Sequence, residues 1–245
     1  AIDEAALPVR NVGHASLLST ASTIVNTIGK QFAQPVRPRH RDGSVKLHLL
    51  GQICRDRSAD VSQVFRGWLR RYTSLSNLDN NCVVRADYSD VLCKIDGISL
   101  IYADPPYTRD HYSRFYHVLE TLALRDFPDI TKSSSSTDFK QSRGRYRTDR
   151  HQSPFCIKSQ APGAFETLFE RSRRHECPLI LSYSPYVKDG HPRLMTVEGI
   201  QNIATRYFRK VEVLPAAPLT HSKLNRSGLH REAAKCAEIF LVCRC

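Results

Sequence analysis

The stretch Ile98-Ser-Leu-Ile-Tyr-Ala-Asp-Pro-Pro-Tyr107 decides the fold. Within 98–103, Ile98, Leu100, Ile101 and Tyr102 are large and apolar or aromatic. A near-continuous apolar run of that length suits a strand buried on both faces of a parallel sheet. Asp104-Pro-Pro-Tyr107 then falls where the chain leaves the carboxyl end of the strand, the edge at which open α/β sheets hold their ligand crevice. Consecutive prolines fix φ and have no N–H, so the loop is rigid and offers carbonyls. Four specified residues arise by chance roughly once in a thousand chains of this length, and placement behind a buried strand makes the coincidence rarer.

Working outward, Cys82–Asp87 reads as another short β-rich run and 88–95 as a short helix. Residues 113–124 form an amphipathic helix with Phe115, Val118, Leu119 and Leu122 on one side, and Tyr112, Phe115 and Tyr116 at core spacing. Then follow a helix over 164–174, a strand over 178–183, a helix over 196–207, a strand over 210–214, a polar loop over about 215–234 and a last strand over 237–243. Strand–helix alternation means an α/β fold with a central sheet. The first 80 residues differ: a helix ending near Gly29 or before Pro35, a basic loop over 35–43, a strand over 45–50, and a helix over 59–77 with Arg66, Arg70 and Arg71 opposite its apolar side. The expected division is 1–80, mainly helical, and 81–245, α/β. A basic loop over 131–153, carrying Lys140, Arg143, Arg145, Arg147 and Arg150 behind four serines, is either a clamp on a polyanion or a solvated insertion.

With 245 residues and 41% hydrophobic content, the chain can bury one substantial core. Its formal net charge of +12 suits a polyanionic partner, nucleic acid before an anionic membrane, although a solvated basic surface has the same composition. No run of 18 apolar residues is present, so no membrane-spanning helix is expected. The opening Ala1-Ile2-Asp3-Glu4 has neither a signal-peptide pattern nor an initiator Met, the expectation for a processed, trimmed or fragmentary chain. Eight scattered cysteines without a C-x-x-C spacing argue against a structural zinc and for reduced thiols in a cytoplasmic protein.

The loop 104–107 has residue types suited to one task. An exocyclic amine on a planar ring delocalises its lone pair and is a poor nucleophile. The Asp104 carboxylate can accept one of its N–H bonds and the carbonyl held by Pro105 another, while Pro106 keeps the loop stiff and Tyr107 stacks on a base turned out of its helix. Rate enhancement from such a site comes from positioning and electrostatics. The alternative is a plain proline turn after a strand.

Tyr102-Ala-Asp-Pro-Pro-Tyr-Thr108, followed by Tyr112-Ser-Arg-Phe-Tyr-His-Val-Leu-Glu-Thr121, resembles the D12-class, Dam-like (α-group) adenine-specific DNA methyltransferases, many of them parts of restriction-modification systems. The resemblance implies a Rossmann-like methyltransferase sheet, S-adenosyl-L-methionine as cofactor, double-stranded DNA as partner and transfer to the N6 amine of a flipped-out adenine. It makes Asp104, Pro105, Pro106 and Tyr107 the catalytic loop, and assigns Asp87 and Tyr88, with Asp104, to the cofactor. Asp87 before a helix is also an ordinary N-cap. Tyr183, Ser184, Asn225 and Arg226 become candidates for the base pocket, and Arg109, His111 and Arg114 for phosphate. One departure stands out. The family carries an early Phe-x-Gly-x-Gly cofactor loop, and no Gly-x-Gly occurs here. The expectation is an incomplete domain, with that loop truncated, supplied by a separate chain or lost, and with residues 1–80 as a DNA-recognition region. The alternatives are a DNA-binding remnant without catalysis, or the same chemistry on RNA or a protein amide.

Overall fold

The computed structural model describes residues 2–27, 31–33, 35–75, 81–109, 111–130, 146–185, 194–216 and 238–245. The chain divides into two compact units, the first built on Ala1–Cys82 and Tyr112–Arg150, the second on Val83–His111 and the described residues of His151–His221 and His230–Cys245. The described residues of 112–150 belong to the first unit.

The first unit is helical. Helix α1 (Leu7–Ile24) opens with a proline in its first turn, where a missing N–H costs nothing. Helix α3 (Val61–Leu75) lies against it: the Ser19 and Tyr72 hydroxyls share a 2.7 Å hydrogen bond, and Trp68 Nε1 donates to Thr23 Oγ1 at 3.0 Å. As expected, Val64, Phe65, Trp68, Leu69 and Tyr72 turn inward while Arg66, Arg70 and Arg71 stay exposed; Val61, expected on the same apolar face, is exposed at the start of the helix. Between them, Leu47–Arg57 is helix α2, not the strand expected over 45–50. Alternation over six residues was too short a window to fix a period, and the half-buried Leu49 followed four residues later by the buried Ile53 shows the helical one.

The expected helix over 113–124 is two helices, α5 (Tyr112–Phe115) and α6 (His117–Leu124), broken at Tyr116. Phe115 is buried, but Tyr112 and Tyr116 remain 38% and 39% exposed, so only one of the three rings is core. Arg147, read as part of a solvated or DNA-facing loop, is buried instead. Its guanidinium donates twice to Asp126, at 2.7 Å each, again to Asp149 at 3.1 and 2.9 Å, and to Thr121 Oγ1 at 3.2 Å. Two carboxylates neutralise it, which is the condition for burying such a charge. The rest of that loop over 131–145 lies outside the described residues.

The second unit is a four-stranded mixed sheet in the order β1-β2-β4-β3, from β1 (Ile101–Ala103), β2 (Leu179–Tyr183), β3 (Lys210–Pro215) and β4 (Ile239–Arg244). β1 runs parallel to β2 with Ile101 opposite Leu179 and Ala103 opposite Leu181. β4 is antiparallel to both β2 and β3. Alternate residues Leu179, Leu181, Tyr183, Ile239, Leu241 and Cys243 form one buried face, sharing a core with helices α7 (Ala161–Arg173) and α8 (Val197–Ala204). On α7, Phe165, Leu168 and Phe169 recur at helical spacing and supply most of the covering surface.

Two strand expectations change. Residues 82–87 form no strand, and Val83 is 96% exposed. β1 is three residues long at the sheet edge, with Tyr102 60% exposed, rather than a strand buried on both faces. Among the described residues only one side of β1 is paired, so its apolar composition is not matched by burial.

Candidate active site

Parallel pairing sends the carboxyl ends of β1 and β2 to the same end of the sheet, so Asp104, directly after β1, emerges beside Tyr183 and Ser184. Antiparallel pairing of β2 with β4 sets Ile239 opposite Tyr183 and delivers Glu238, one residue earlier, to that end as well. Gly97, at φ 70°, makes the left-handed turn that launches the segment into β1, a conformation a side chain would strain.

The loop is anchored rather than loose. Pro105 and Thr108 are buried, Pro106 and Tyr107 half-buried, and the Asp104 side chain is exposed. The Tyr107 ring meets Tyr183 edge-on, with centroids 5.4 Å apart at 67°. Tyr183 is itself immobilised: 2% exposed, donating its hydroxyl proton to the Met195 carbonyl at 2.7 Å and packing against Phe165. Ser184 is fully buried. Tyr107, three residues after Asp104, is therefore braced by a stiff aromatic.

The Asp104 carboxyl titrates above the usual carboxylate range, first because the loop strips part of its water and second because Glu238 repels its charge. A more basic carboxylate is a stronger hydrogen-bond acceptor. Glu238 accepts a 2.7 Å hydrogen bond from Ser182 Oγ, which fixes its place at the site. Sequence reading did not find Glu238. It is separated from the loop by most of the chain, carries no motif, and reaches Asp104 only through strand pairing.

The other candidates divide. Asp87 caps helix α4 (Tyr88–Lys94), accepting from Ser89 N at 2.9 Å and Ser89 Oγ at 2.6 Å, which lowers its pKa. The Tyr88 hydroxyl donates to the Ala164 carbonyl at 3.0 Å, its ring packs on Phe155, and burial pushes its pKa up to about 12. Asp87 is thus engaged in capping α4, and Tyr88 in holding that helix against the core. Arg109 is exposed just beyond the loop. Arg114, in the first unit, lays its guanidinium over the Tyr146 ring at 4.7 Å and donates to the Tyr146 hydroxyl, a packing contact. Asn225 and Arg226 lie outside the described residues.

A parallel strand ending in Asp-Pro-Pro-Tyr, with its tyrosine seated on a buried aromatic, coincides with a family match. Residues 65–159 match the D12 class N6 adenine-specific DNA methyltransferase model. The matched stretch contains the whole Asp104–Tyr107 loop and bears out the resemblance read from the sequence. Among curated proteins, the type II methyltransferase M.FokI of Planomicrobium okeanokoites is 32% identical over 109 residues, 44% of this chain and 14% of that protein. The modification methylase LlaI of Lactococcus lactis subsp. lactis is 28% identical over 167 residues, 66% of this chain and 23% of that one. The type II methyltransferase M.NlaIII of Neisseria lactamica is 29% identical over 129 residues, 53% and 33% of the two chains. The matches span between a seventh and a third of those relatives' lengths. No solved structure matches the chain. The mixed α/β sheet agrees with a methyltransferase fold, and no helix among the described residues is long and apolar enough to cross a membrane.

Proposed function

We propose that this chain supplies the target-amine side of a DNA adenine-N6 methyltransferase of a restriction-modification system, using S-adenosyl-L-methionine. The observation that carries the reading is the Asp104–Tyr107 loop at the carboxyl end of β1, lying within the D12-matching stretch. In this reading Asp104 and the Pro105 carbonyl accept the two N–H bonds of the adenine amine. That interaction favours a pyramidal nitrogen with a directed lone pair. Pro106 keeps the acceptors in register, and Tyr107, backed by Tyr183, stacks on the flipped base. Ser184, Asn225, Arg226, Arg109 and Arg114 remain candidates for contacts to the base or its phosphates. Residues 1–80, with the exposed Arg66, Arg70 and Arg71, are the candidate DNA-recognition region. Scattered cysteines without a disulfide among the described residues suit a cytoplasmic setting.

Bound S-adenosyl-L-methionine would supply an electrophilic methyl group. The residues present fit it only in part. Asp104 would lie at the reacting end, whereas Asp87 and Tyr88 are committed to capping and packing. Among the described residues the glycines that follow a left-handed path, Gly43 and Gly97, are isolated, and no Gly-x-Gly occurs in the sequence to let backbone approach a methionine moiety. The cradle for the methyl donor is assigned to polypeptide outside this sequence, either another segment of a longer protein or a separate chain. Labelled methyl transfer in competition among duplex DNA, RNA and protein tests the substrate, with Asp104→Ala as the inactive control. Transfer that survives Asp104→Ala refutes the site.

The missing cradle favours one second reading, a DNA-binding chain without catalysis. Calorimetry with S-adenosyl-L-methionine separates them: clear binding by this chain rejects the non-catalytic reading.

A further inference from the structure

A cavity of about 780 Å³ opens where the chain leaves the catalytic loop, within the second unit. Arg109, His111, Gln152, Lys158 and Ser159 line it together with Cys156 and Ile157, and among the described residues no Asp or Glu does. Two cations, an imidazole, an amide and a hydroxyl thus converge on one space. A concavity lined by one sign of charge concentrates anions.

The pairing of the unit's charges sharpens this. Arg206 is bound to Glu166, Arg174 to Glu170, and both Lys210 and Arg244 to Glu212. Arg109 and Lys158 have no ion pair or hydrogen bond among the described residues. Both side chains are exposed and open to an incoming anion. The amino end of α7, which carries no side-chain cap, begins three residues beyond Lys158 and adds positive potential of the same sign. The space exceeds what an inorganic anion needs and has the size of small-molecule sites. All of these lining residues fall within the D12-matching stretch.

We propose that this cavity seats a phosphodiester of duplex DNA, with Arg109 and Lys158 as its charge partners and Gln152, Ser159 and His111 as additional donors. The assignment rests on the DNA-modifying reading above. It adds Lys158, Gln152 and Ser159, to which neither motif nor spacing drew attention, and it places a backbone anchor only a few residues from the loop that receives the base. Phosphate contacts position a duplex without reading its sequence, so the site would set register and leave specificity to other residues.

The test uses the full 245-residue chain, a short fluorescent duplex and anisotropy over a salt series. It compares the unaltered chain with R109Q/K158Q and with K94Q/R209Q, which removes the same charge from exposed positions of the same unit. R109Q/K158Q should weaken binding about tenfold near 0.1 M salt and reduce the slope of log K against log salt by about 1–2, while K94Q/R209Q changes affinity less than about twofold. Equal losses in the two variants overturn the cavity assignment and leave the DNA reading intact. Absence of duplex binding by the unaltered chain overturns both. Inorganic phosphate added at constant ionic strength should barely displace the duplex, and strong displacement would mark the cavity as a site for the free anion.

Discussion

Replacing Asp104 with Asn separates what this carboxylate does for the fold from what it does for chemistry, because the two effects have opposite sign. The side chain is exposed, and its carboxyl is held above the ordinary value of 3.8 by lost hydration and by Glu238. A carboxyl whose folded pKa is raised binds its proton more tightly in the folded state. The ionised form therefore costs stability at every pH above the folded pKa, and that cost fades as pH falls through it towards the unfolded value. Asn removes the charge and keeps the shape. At neutral pH the melting temperature should hold or rise, within the ~0.5 kcal/mol usual for exposed sites, or about 1–2 °C for a chain of this size. Methyl transfer should fall. Exchanging a charged for a neutral acceptor on the target amine forfeits about 1–1.5 kcal/mol, a loss of about 5- to 12-fold in rate. The unaltered protein should lose activity on its acid limb at a pH above 3.8. Duplex methylation with labelled donor and thermal melts at neutral and acid pH give both numbers, with the chain combined with whatever polypeptide completes the donor site. A variant that melts several degrees lower makes Asp104 a structural residue, and one that methylates at the original rate removes it from the site.

Three further outcomes follow from the packing. Tyr183→Phe keeps the ring against Tyr107 but leaves the Met195 carbonyl without its 2.7 Å donor, so stability should drop by about 1–3 kcal/mol in chemical denaturation while duplex affinity stays level. Asp87→Ala should cost about 0.5–2 kcal/mol through the lost cap of α4, and Asp87→Asn much less; if both bind S-adenosyl-L-methionine equally well in calorimetry, Asp87 is a cap alone. Arg147 holds the Asp126 and Asp149 carboxyls below their usual range, so its pairing stabilises the first unit above the ordinary aspartate pKa and is lost as pH falls through the lowered values. Arg147→Met should lower the neutral-pH melting temperature and flatten that acid dependence, and an unchanged acid slope would show that the pairs contribute nothing.

Much of this was local and therefore legible. The α3 faces follow from a 3.6-residue period that needs no partner to be read. The strand over 179–183, the helix at 88–94 and the loop at 104–107 were placed by apolar runs, an N-cap and paired prolines, all short-range signals. Errors arose where a short window suited two structures, as at 45–50 and 82–87, or where composition was taken as burial, as at Tyr102 and Tyr116. The apolar content of β1 predicts a strand, but how much of it is covered depends on what lies beside it.

Residue order alone determined the chemistry on offer: a rigid Asp-Pro-Pro-Tyr loop behind a strand, a basic surplus and no Gly-x-Gly. Tertiary structure decided which groups share that chemistry. It aligned Asp104, Tyr183 and Glu238 at one sheet end, turned Arg147 from a loop cation into a buried pair, and gathered Arg109 and Lys158 around one cavity. The physical reason is that hydration, charge repulsion and neutralisation depend on distance through space, and strand pairing sets those distances between residues that sequence holds far apart.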